Sequence, residues 1–232
     1  MGSAGRGKGD QDPEHESREP EPELRVEPLP PAPGSQPLVR TFVAVELPAE
    51  VRAWLAETEA GLSARAARAG LGRGVRWVKP SGIHLTLKFL GGTSPRLLPE
   101  IERRLAVALA GQRRFSLETS KLGVFPGLRA PRVLWVGLAG GVGELAAVQQ
   151  RVEEAIAPLG FPTEARAFSP HLTLARVHES VGPAERQLLG EVVRGYSLAA
   201  ARRFGVAEVS LMRSELSPRG ARYSRLLAVP LA

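Results

Sequence analysis

The sequence predicts an α+β fold made of two lobes, each with a largely antiparallel sheet flanked by helices. Strand-like and helix-like stretches alternate along the chain, and several neighbouring strands are close enough in sequence to form hairpins, which favours antiparallel pairing. The tetrapeptide His-Leu-Thr-Leu at residues 84–87 occurs again at residues 171–174. One copy in each lobe indicates an internal pseudo-repeat, although the two halves share little else.

Length and composition favour one folded domain preceded by a tail. The chain of 232 residues is 43% hydrophobic, which is enough to bury the core of a two-lobed domain. Residues 1–37 are rich in Gly, Pro, Glu and Ser and nearly free of aromatic and β-branched side chains, so they cannot offset the entropy of folding. We therefore expect a disordered tail at 1–37 and a bilobal domain at 38–232.

Apolar periodicity and turn residues predict the elements of the first half. Pro48 suits the first position of a helix, where its missing N–H is not needed, and Ser94 is expected to cap the next helix. Gly91 and Gly92 are expected to end the first motif strand. The predicted elements are a strand at 40–48, a helix from 48 to about 69, a strand at 75–78, a turn at 79–82, a strand at 84–90 and a helix at 95–110.

The second half follows a similar pattern and ends in a hairpin. Ser169 precedes Pro170, which holds the approach to the second motif extended. The predicted elements are strands at 114–124 and 132–138 joined by a loop at 125–131, a helix at 142–159, the second motif strand from residue 171, a helix at 183–193, and hairpin strands at 206–212 and 223–229 around a loop at 214–220.

The repeated tetrapeptide carries the candidate chemistry. Polar and apolar residues alternate in it, so in a β-strand His and Thr share one face while both Leu pack on the other. The chain has only four histidines, and two of them, His84 and His171, hold the same place in the two copies. Two equivalent imidazoles suit general acid–base catalysis. The alternative is structural, with His and Thr of two half-buried strands only satisfying each other.

Charge and cysteine content narrow the class of protein. The net charge is +7, and the acidic tail makes residues 38–232 more basic still, which favours a phosphate-rich partner. Most of the excess basic residues are Arg, however, and the base composition of a genome also produces an excess of Arg without any role in binding. No apolar run is long enough for a membrane span, and the first residues lack the apolar segment of a secretory signal. With no cysteine, the chain fits a reducing cytoplasm.

Longer stretches around the motifs point to a known family. These stretches are RTFVAVELP at 40–48, VRWVKPSGIHLTLKFLG at 75–91, PRVLWVGL at 131–138, GFPTEARAFSPHLTLAR at 160–176 and SELSPRGARYSRL at 214–226. With the paired His-x-Thr-x motifs, they resemble the 2H phosphoesterases, and within them the bacterial and archaeal RNA 2′,3′-cyclic phosphodiesterases, also described as 2′-5′ RNA ligases. The resemblance spans nearly all of residues 40–230 and leaves the tail outside.

The resemblance implies two lobes related by a pseudo-twofold axis, with one His-x-Thr-x strand from each facing a shared cleft. It also implies hydrolysis of RNA or nucleotide 2′,3′-cyclic phosphates to 2′-phosphates, without metal or cofactor. By resemblance, His84 is the general acid at O3′ and His171 the general base. Thr86 and Thr173, on the same strand faces as their histidines, are placed to donate hydrogen bonds to the phosphate.

Further candidates flank the motifs. Arg176 is expected to contact the phosphate because the family usually carries Arg there, although strict alternation places it on the face opposite His171. Lys88 continues the face of Thr86 and is read either as a further charge or as a solvated lysine. Tyr223 is a candidate for stacking a nucleobase, with core packing as the alternative, whereas Phe42 is assigned to the core.

Three other functions stay open from the sequence. The same cleft would suit a 2′-5′ oligonucleotide phosphodiesterase or an ADP-ribose cyclic phosphate hydrolase, and it would also suit RNA ligation. A non-catalytic RNA-binding module is the third reading, and the intact motifs argue against it. The expected partner is RNA with a 2′,3′-cyclic phosphate end or a cyclic nucleotide. We expect no membrane association and a monomer.

Overall fold

The structure, a computed structural model, describes residues 37–217 and 220–232. The predicted tail lies outside these residues except for Pro37. The strands are β1 (Val39–Glu46), β2 (Val75–Trp77), β3 (His84–Thr93), β4 (Phe115–Phe125), β5 (Val133–Gly140), β6 (His171–Val177), β7 (Arg203–Val206), β8 (Glu208–Ser217) and β9 (Gly220–Pro230). The α-helices are α1 (Ala49–Arg68), α2 (Leu98–Leu109), α3 (Val142–Ile156) and α4 (Pro183–Arg194).

The strands form two sheets, and every pairing within them is antiparallel. The first sheet has the order β3-β1-β8-β9, and the second has the order β2-β6-β5-β4-β7. Each sheet holds one motif strand, β3 in the first and β6 in the second. These two strands contact each other, so both motifs lie where the lobes meet. The predicted α+β, two-lobed, antiparallel architecture is confirmed.

One continuous apolar core lies behind the motifs. Leu85 and Leu87 of the first copy and Leu172 and Leu174 of the second are almost fully buried in it. All four helices contribute to the same core, through Leu55, Ile101, Val148 and Leu189 among others. The histidines and threonines of both motifs remain partly exposed on the opposite faces. The alternation expected from the sequence is therefore present in both strands.

Both motif strands contain a β-bulge directly after the threonine. In β3, Thr86 pairs with Ala44 and Lys88 with Val43, which leaves Leu87 as an extra residue. In β6, Thr173 pairs with Trp135 and Ala175 with Leu134, so Leu174 is extra in the same way. Because a bulge adds one residue, it reverses the alternation of every side chain after it.

Several predicted boundaries are wrong for identifiable reasons. Gly91 and Gly92 do not end the first motif strand, because both pair with β1 and β3 continues to Thr93. The helix expected to start at residue 95 begins as a 3₁₀ turn at Pro95–Leu97, and the side chain of Ser94 makes no capping hydrogen bond. The helix expected at 142–159 likewise ends as a 3₁₀ turn, Ala157–Leu159.

The closing hairpin differs more from the prediction. Val206 belongs to β7, a strand that the sequence pattern did not reveal, and β7 pairs with β4 in the second sheet. The chain then crosses at Ala207 to the first sheet, where β8 begins. The expected loop at 214–220 is mostly strand, since β8 and β9 stay paired as far as Ser217 and Gly220.

Candidate active site

The two motif histidines are held in the same way. His84 Nδ1 lies 2.8 Å from the carbonyl oxygen of Gly82, and His171 Nδ1 lies 2.7 Å from that of Ser169. Since a carbonyl only accepts hydrogen bonds, the proton of each neutral ring sits on Nδ1. Each Nε2 is then the nitrogen available to a substrate, as an acceptor when the ring is neutral and as a donor when it is charged.

Aromatic side chains fix the orientation of both imidazoles. The His84 ring lies 4.5 Å from the ring of Phe42 and meets the ring of Tyr223 edge-on at 4.9 Å. The His171 ring meets the ring of Phe125 edge-on at 5.1 Å, and the ring of Trp135 lies 6.3 Å away. Packing of this kind limits rotation of the imidazoles and preorganises them for proton transfer.

The motif threonines are available for binding. Thr86 and Thr173 are partly exposed on the faces that carry the histidines. Neither hydroxyl has a hydrogen-bond partner among the residues that the structure describes. A hydroxyl that can rotate in this way donates to a phosphoryl oxygen without first breaking an existing bond.

The bulges change the roles expected for Arg176 and Lys88. Strict alternation predicted that Arg176 lies opposite His171, and this is wrong, because the extra residue Leu174 returns Arg176 to the face of His171 and Thr173. Both predictions for Lys88 are also wrong. The matching bulge turns Lys88 inward, where it is 5% exposed and forms an ion pair with Glu153 and a hydrogen bond to the carbonyl of Pro162.

The surroundings of the two histidines differ in charge. On the neighbouring strand, Glu46 pairs directly with His84, whereas Gly137 pairs directly with His171. In the aligned motif strands, Phe89 of β3 stands where β6 carries Arg176. A carboxylate thus stands beside His84 and a guanidinium beside His171. The sequence did not reveal Glu46, because its position opposite His84 depends on strand register.

Hydrogen bonds keep Glu46 ionised. Its Oε1 accepts from Arg225 Nε at 2.6 Å and from Ser210 Oγ at 2.8 Å, and Arg225 also pairs with Glu208 at 2.9 Å. Burial alone raises the pKa of Glu46, but the hydrogen bonds from Arg225 and Ser210, together with the charges of Arg225 and Arg52, outweigh it, so this pKa lies below its ordinary value. Glu46 is therefore a stable negative charge at neutral pH.

These charges act on the titration of both histidines. Burial lowers the pKa of His84 below its ordinary value, while the hydrogen bond to Gly82 and the charge of Glu46 raise it in part. Burial also lowers the pKa of His171, where the hydrogen bond to Ser169 raises it and the charge of Arg176 lowers it. The nearby charges favour protonated His84 and neutral His171.

The remaining aromatic candidates divide between the core and the surface. Phe42 is 2% exposed, as its assignment to the core predicted, and it packs with Ala44, Met212 and the partly buried Tyr223. Phe89, which sequence reasoning overlooked, is 57% exposed on the face of His84 and Thr86 and lies 6.2 Å from Phe42. Of these rings, Phe89 offers the most accessible surface.

The side chains of residues 37–217 and 220–232 do not assemble a metal site. In these ranges no three His, Cys, Asp or Glu side chains form a group that could hold a metal ion. His178, expected at the surface, is exposed and bonds through Nδ1 to Ser180. No helix in the described part of the chain is long and apolar enough to cross a membrane.

Comparison with known proteins identifies the family of the chain. The family model for LigT-like phosphoesterases matches residues 45–135 and, separately, residues 136–223. The chain belongs to this family. Each of the two matched segments contains one His-x-Thr-x motif, so the LigT-like pattern itself covers both lobes.

Similar proteins include named relatives and solved structures. The RNA 2′,3′-cyclic phosphodiesterase of Methanothermobacter thermautotrophicus is 33% identical over 80% of this chain and 95% of its own length. That of Aeropyrum pernix is 34% identical over 68% and 87%. The crystal structure of Escherichia coli LigT with 3′-AMP matches with a TM-score of 0.60 at 28% identity, over 85% of this chain and 99% of that one. A Thermus thermophilus structure matches with a TM-score of 0.64 at 27% identity, over 83% and 97%.

Proposed function

We propose that this LigT-like phosphoesterase hydrolyses 2′,3′-cyclic phosphates at RNA ends or in nucleotides to 2′-phosphates, without a metal ion. The observation that carries the proposal is the pair of identically held imidazoles, His84 and His171, each beside a partly exposed threonine. The names of the curated relatives support the substrate class. A monomeric state and a cytoplasmic location remain predictions from the sequence.

The reaction requires one base and one acid on opposite sides of the phosphorus. In our proposal, Nε2 of neutral His171 takes a proton from water as the water oxygen bonds to phosphorus. The bond from phosphorus to O3′ breaks, and Nε2–H of protonated His84 gives its proton to O3′. The products are a 2′-phosphate and a 3′-hydroxyl, and proton exchange with solvent restores both imidazoles.

Electrostatics supports this assignment of roles. An acid must be protonated before the reaction; burial lowers the pKa of His84, and the Glu46 carboxylate opposes this effect and favours the charged form. A base must be neutral, and the Arg176 guanidinium favours the neutral form of His171. Since both rings are otherwise held alike, these two charges are the difference that separates an acid from a base.

The other candidate residues bind the phosphate and the nucleoside. Thr86, Thr173 and Arg176 share the faces of the two histidines, so we assign them as donors to the phosphoryl oxygens, where negative charge accumulates as water attacks. Tyr223 stays a candidate for contact with the base or ribose, but its edge-on packing against His84 leaves less accessible ring surface than Phe89 offers.

A substitution experiment with 2′,3′-cyclic nucleotides tests the proposal. His84→Ala and His171→Ala should each lower turnover roughly 10²- to 10⁴-fold, the effect of losing an acid or a base, with excess chelator present throughout. His178→Ala is the matched control, because that imidazole is exposed and its ring bonds to Ser180 rather than to a motif residue. Thermal unfolding of each variant checks the fold, and products are identified by chromatography. Near wild-type rates in both motif variants, or loss of wild-type activity to the chelator, would contradict the proposal.

A further inference from the structure

The edge of the second sheet carries two neighbouring arginines. β2 is the outer strand of that sheet, and Arg76 pairs directly with Arg176 of β6. Both side chains are exposed, and cross-strand partners point to the same face of a sheet. Arg76 therefore lies on the face that carries His171 and Thr173, one strand further from the motif.

Arg76 also reaches the other lobe. Its Nη2 lies 3.8 Å from the position that a Cβ on Gly220 would occupy. Gly220 begins β9, the strand that brings Tyr223 to the His84 ring. The guanidinium of Arg76 thus lies between the second sheet and the first residue of β9, at one end of the junction between the lobes.

The pairing of these arginines is unfavourable without an anion. Like charges directly opposite each other on adjacent strands destabilise a sheet. Within the described residues, neither Arg76 nor Arg176 has an ion pair or a hydrogen bond that would offset the repulsion. Two exposed arginines at directly paired positions, on the face that carries His171 and Thr173, suit a ligand that carries more than one negative charge.

We infer that Arg76 binds the internucleotide phosphate immediately 5′ to the terminal cyclic nucleotide, which makes the enzyme selective for RNA ends over mononucleotides. The inference rests on the proposed function and on the assignment of Arg176 to the cyclic phosphate. The Cβ atoms of cross-strand partners are about 5 Å apart, so Arg76 lies about this distance from Arg176, on the side away from the motif. In an RNA chain, the next phosphate follows the terminal cyclic phosphate at a comparable distance. A 2′,3′-cyclic mononucleotide has no phosphate at that place.

Two substrates and one substitution test the inference. The substrates are a 2′,3′-cyclic mononucleotide and a dinucleotide with the same terminal cyclic phosphate. Arg76→Ala should lower the ratio of kcat/KM for the dinucleotide to that for the mononucleotide by about tenfold, the effect of one lost charge-assisted hydrogen bond. With the wild type, kcat/KM for a dinucleotide whose linkage is an uncharged methylphosphonate should be lower by the same factor. Arg76→Ala should not lower kcat/KM for this dinucleotide any further.

Arg73→Ala is the matched control. Arg73 lies three residues away in the exposed turn before β2, and its replacement changes the net charge equally but should leave the ratio unchanged. An unchanged ratio in Arg76→Ala, an equal loss on both substrates, or the same loss in Arg73→Ala would overturn the inference. Failure of the wild type to hydrolyse either substrate would instead overturn the proposed function, so the two failures are distinguishable.

Discussion

At the scale of single residues, the two histidines differ only in their surroundings. Both are hydrogen-bonded through Nδ1 to a carbonyl two residues earlier, and both are flanked by aromatic rings. Glu46 beside the first and Arg176 beside the second break this equivalence. In our proposal, these two charges assign the acid role to His84 and the base role to His171.

Replacement of Glu46 should change the pH profile in one direction. Without its carboxylate, the pKa of His84 falls, because burial then lowers it with less opposition. Protonated His84 is lost at a lower pH, so the alkaline limb of kcat/KM in Glu46→Gln should move to lower pH while the acidic limb, set by His171, stays in place. The measurement is the pH dependence of kcat/KM on a cyclic nucleotide.

Glu208→Gln is the control for that measurement. Glu208 also pairs with Arg225, but it is absent from the charges that act on His84. Glu208→Gln removes one negative charge from the first sheet, as Glu46→Gln does, and it should leave the alkaline limb of kcat/KM in place. A shift of the acidic limb in Glu46→Gln, or equal shifts in both variants, would contradict the assignment of His84 as the acid.

The sequence predicted the motif residues but not their partners. Alternation within four residues is a local property, so the shared face of His84 and Thr86 could be read directly from the chain. The pairing of Glu46 with His84 joins two strands separated by a helix, and the contact between Arg225 and Glu46 joins opposite ends of the domain. Such contacts depend on register, which local patterns do not specify.

At the scale of elements, the extra residue directly after the threonine of each motif strand redirects the side chains that follow it. The bulges at Leu87 and Leu174 bring Arg176 to the site and turn Lys88 into the core. The sequence predicted the opposite placement for both residues, because a regular strand was assumed. A bulge formed by leucine has no turn residue to mark it, so only the structure reveals it.

Lys88 joins three separate parts of the chain. It extends from β3 to Glu153 of α3 and to the carbonyl of Pro162, ahead of β6, with its side chain 3% exposed. Lys88→Met should lower the free energy of unfolding by about 3 to 5 kcal/mol, because it leaves the Glu153 carboxylate buried without its partner. Chemical denaturation measures the change.

Two further variants test that explanation. Lys88→Met combined with Glu153→Met should recover a substantial part of the loss, since no unpaired charge stays buried. Arg103→Ala removes an exposed ion pair with Glu100 and should change stability little. If Lys88→Met changes stability as little as Arg103→Ala does, the buried pair does not stabilise the fold in the way described.

At the scale of the whole molecule, the fold brings two distant copies of one motif to a common junction. The repeat made the two lobes predictable, and the hairpin spacing of neighbouring strands made the antiparallel sheets predictable. The order of strands was not predictable, because β1 lies between β3 and β8 and the chain changes sheets at Ala207. Those arrangements depend on pairing between strands far apart in sequence, for which hydrophobic periodicity carries no signal.

The domain boundary at residue 37 stays a prediction from composition. A chain that starts at Pro37 should keep the Tm and the turnover of small cyclic nucleotides of the full-length protein, because residues 1–36 lack the apolar side chains needed to add to a core. Differential scanning calorimetry and steady-state kinetics on both chains provide the comparison. A clear loss of Tm or turnover would mean that the tail packs on the domain.

The most direct test of the two-histidine mechanism is hydrolysis of a cyclic substrate in which sulfur replaces O3′. Sulfur leaves with little need for protonation, so a variant without the acid should recover activity on it, and a variant without the base should not. We predict that the substrate restores turnover in His84→Ala toward the wild-type rate and leaves His171→Ala as slow as on the natural substrate. Recovery of His171→Ala alone, or a 3′-phosphate product from the natural substrate, would contradict the proposed roles of the two histidines.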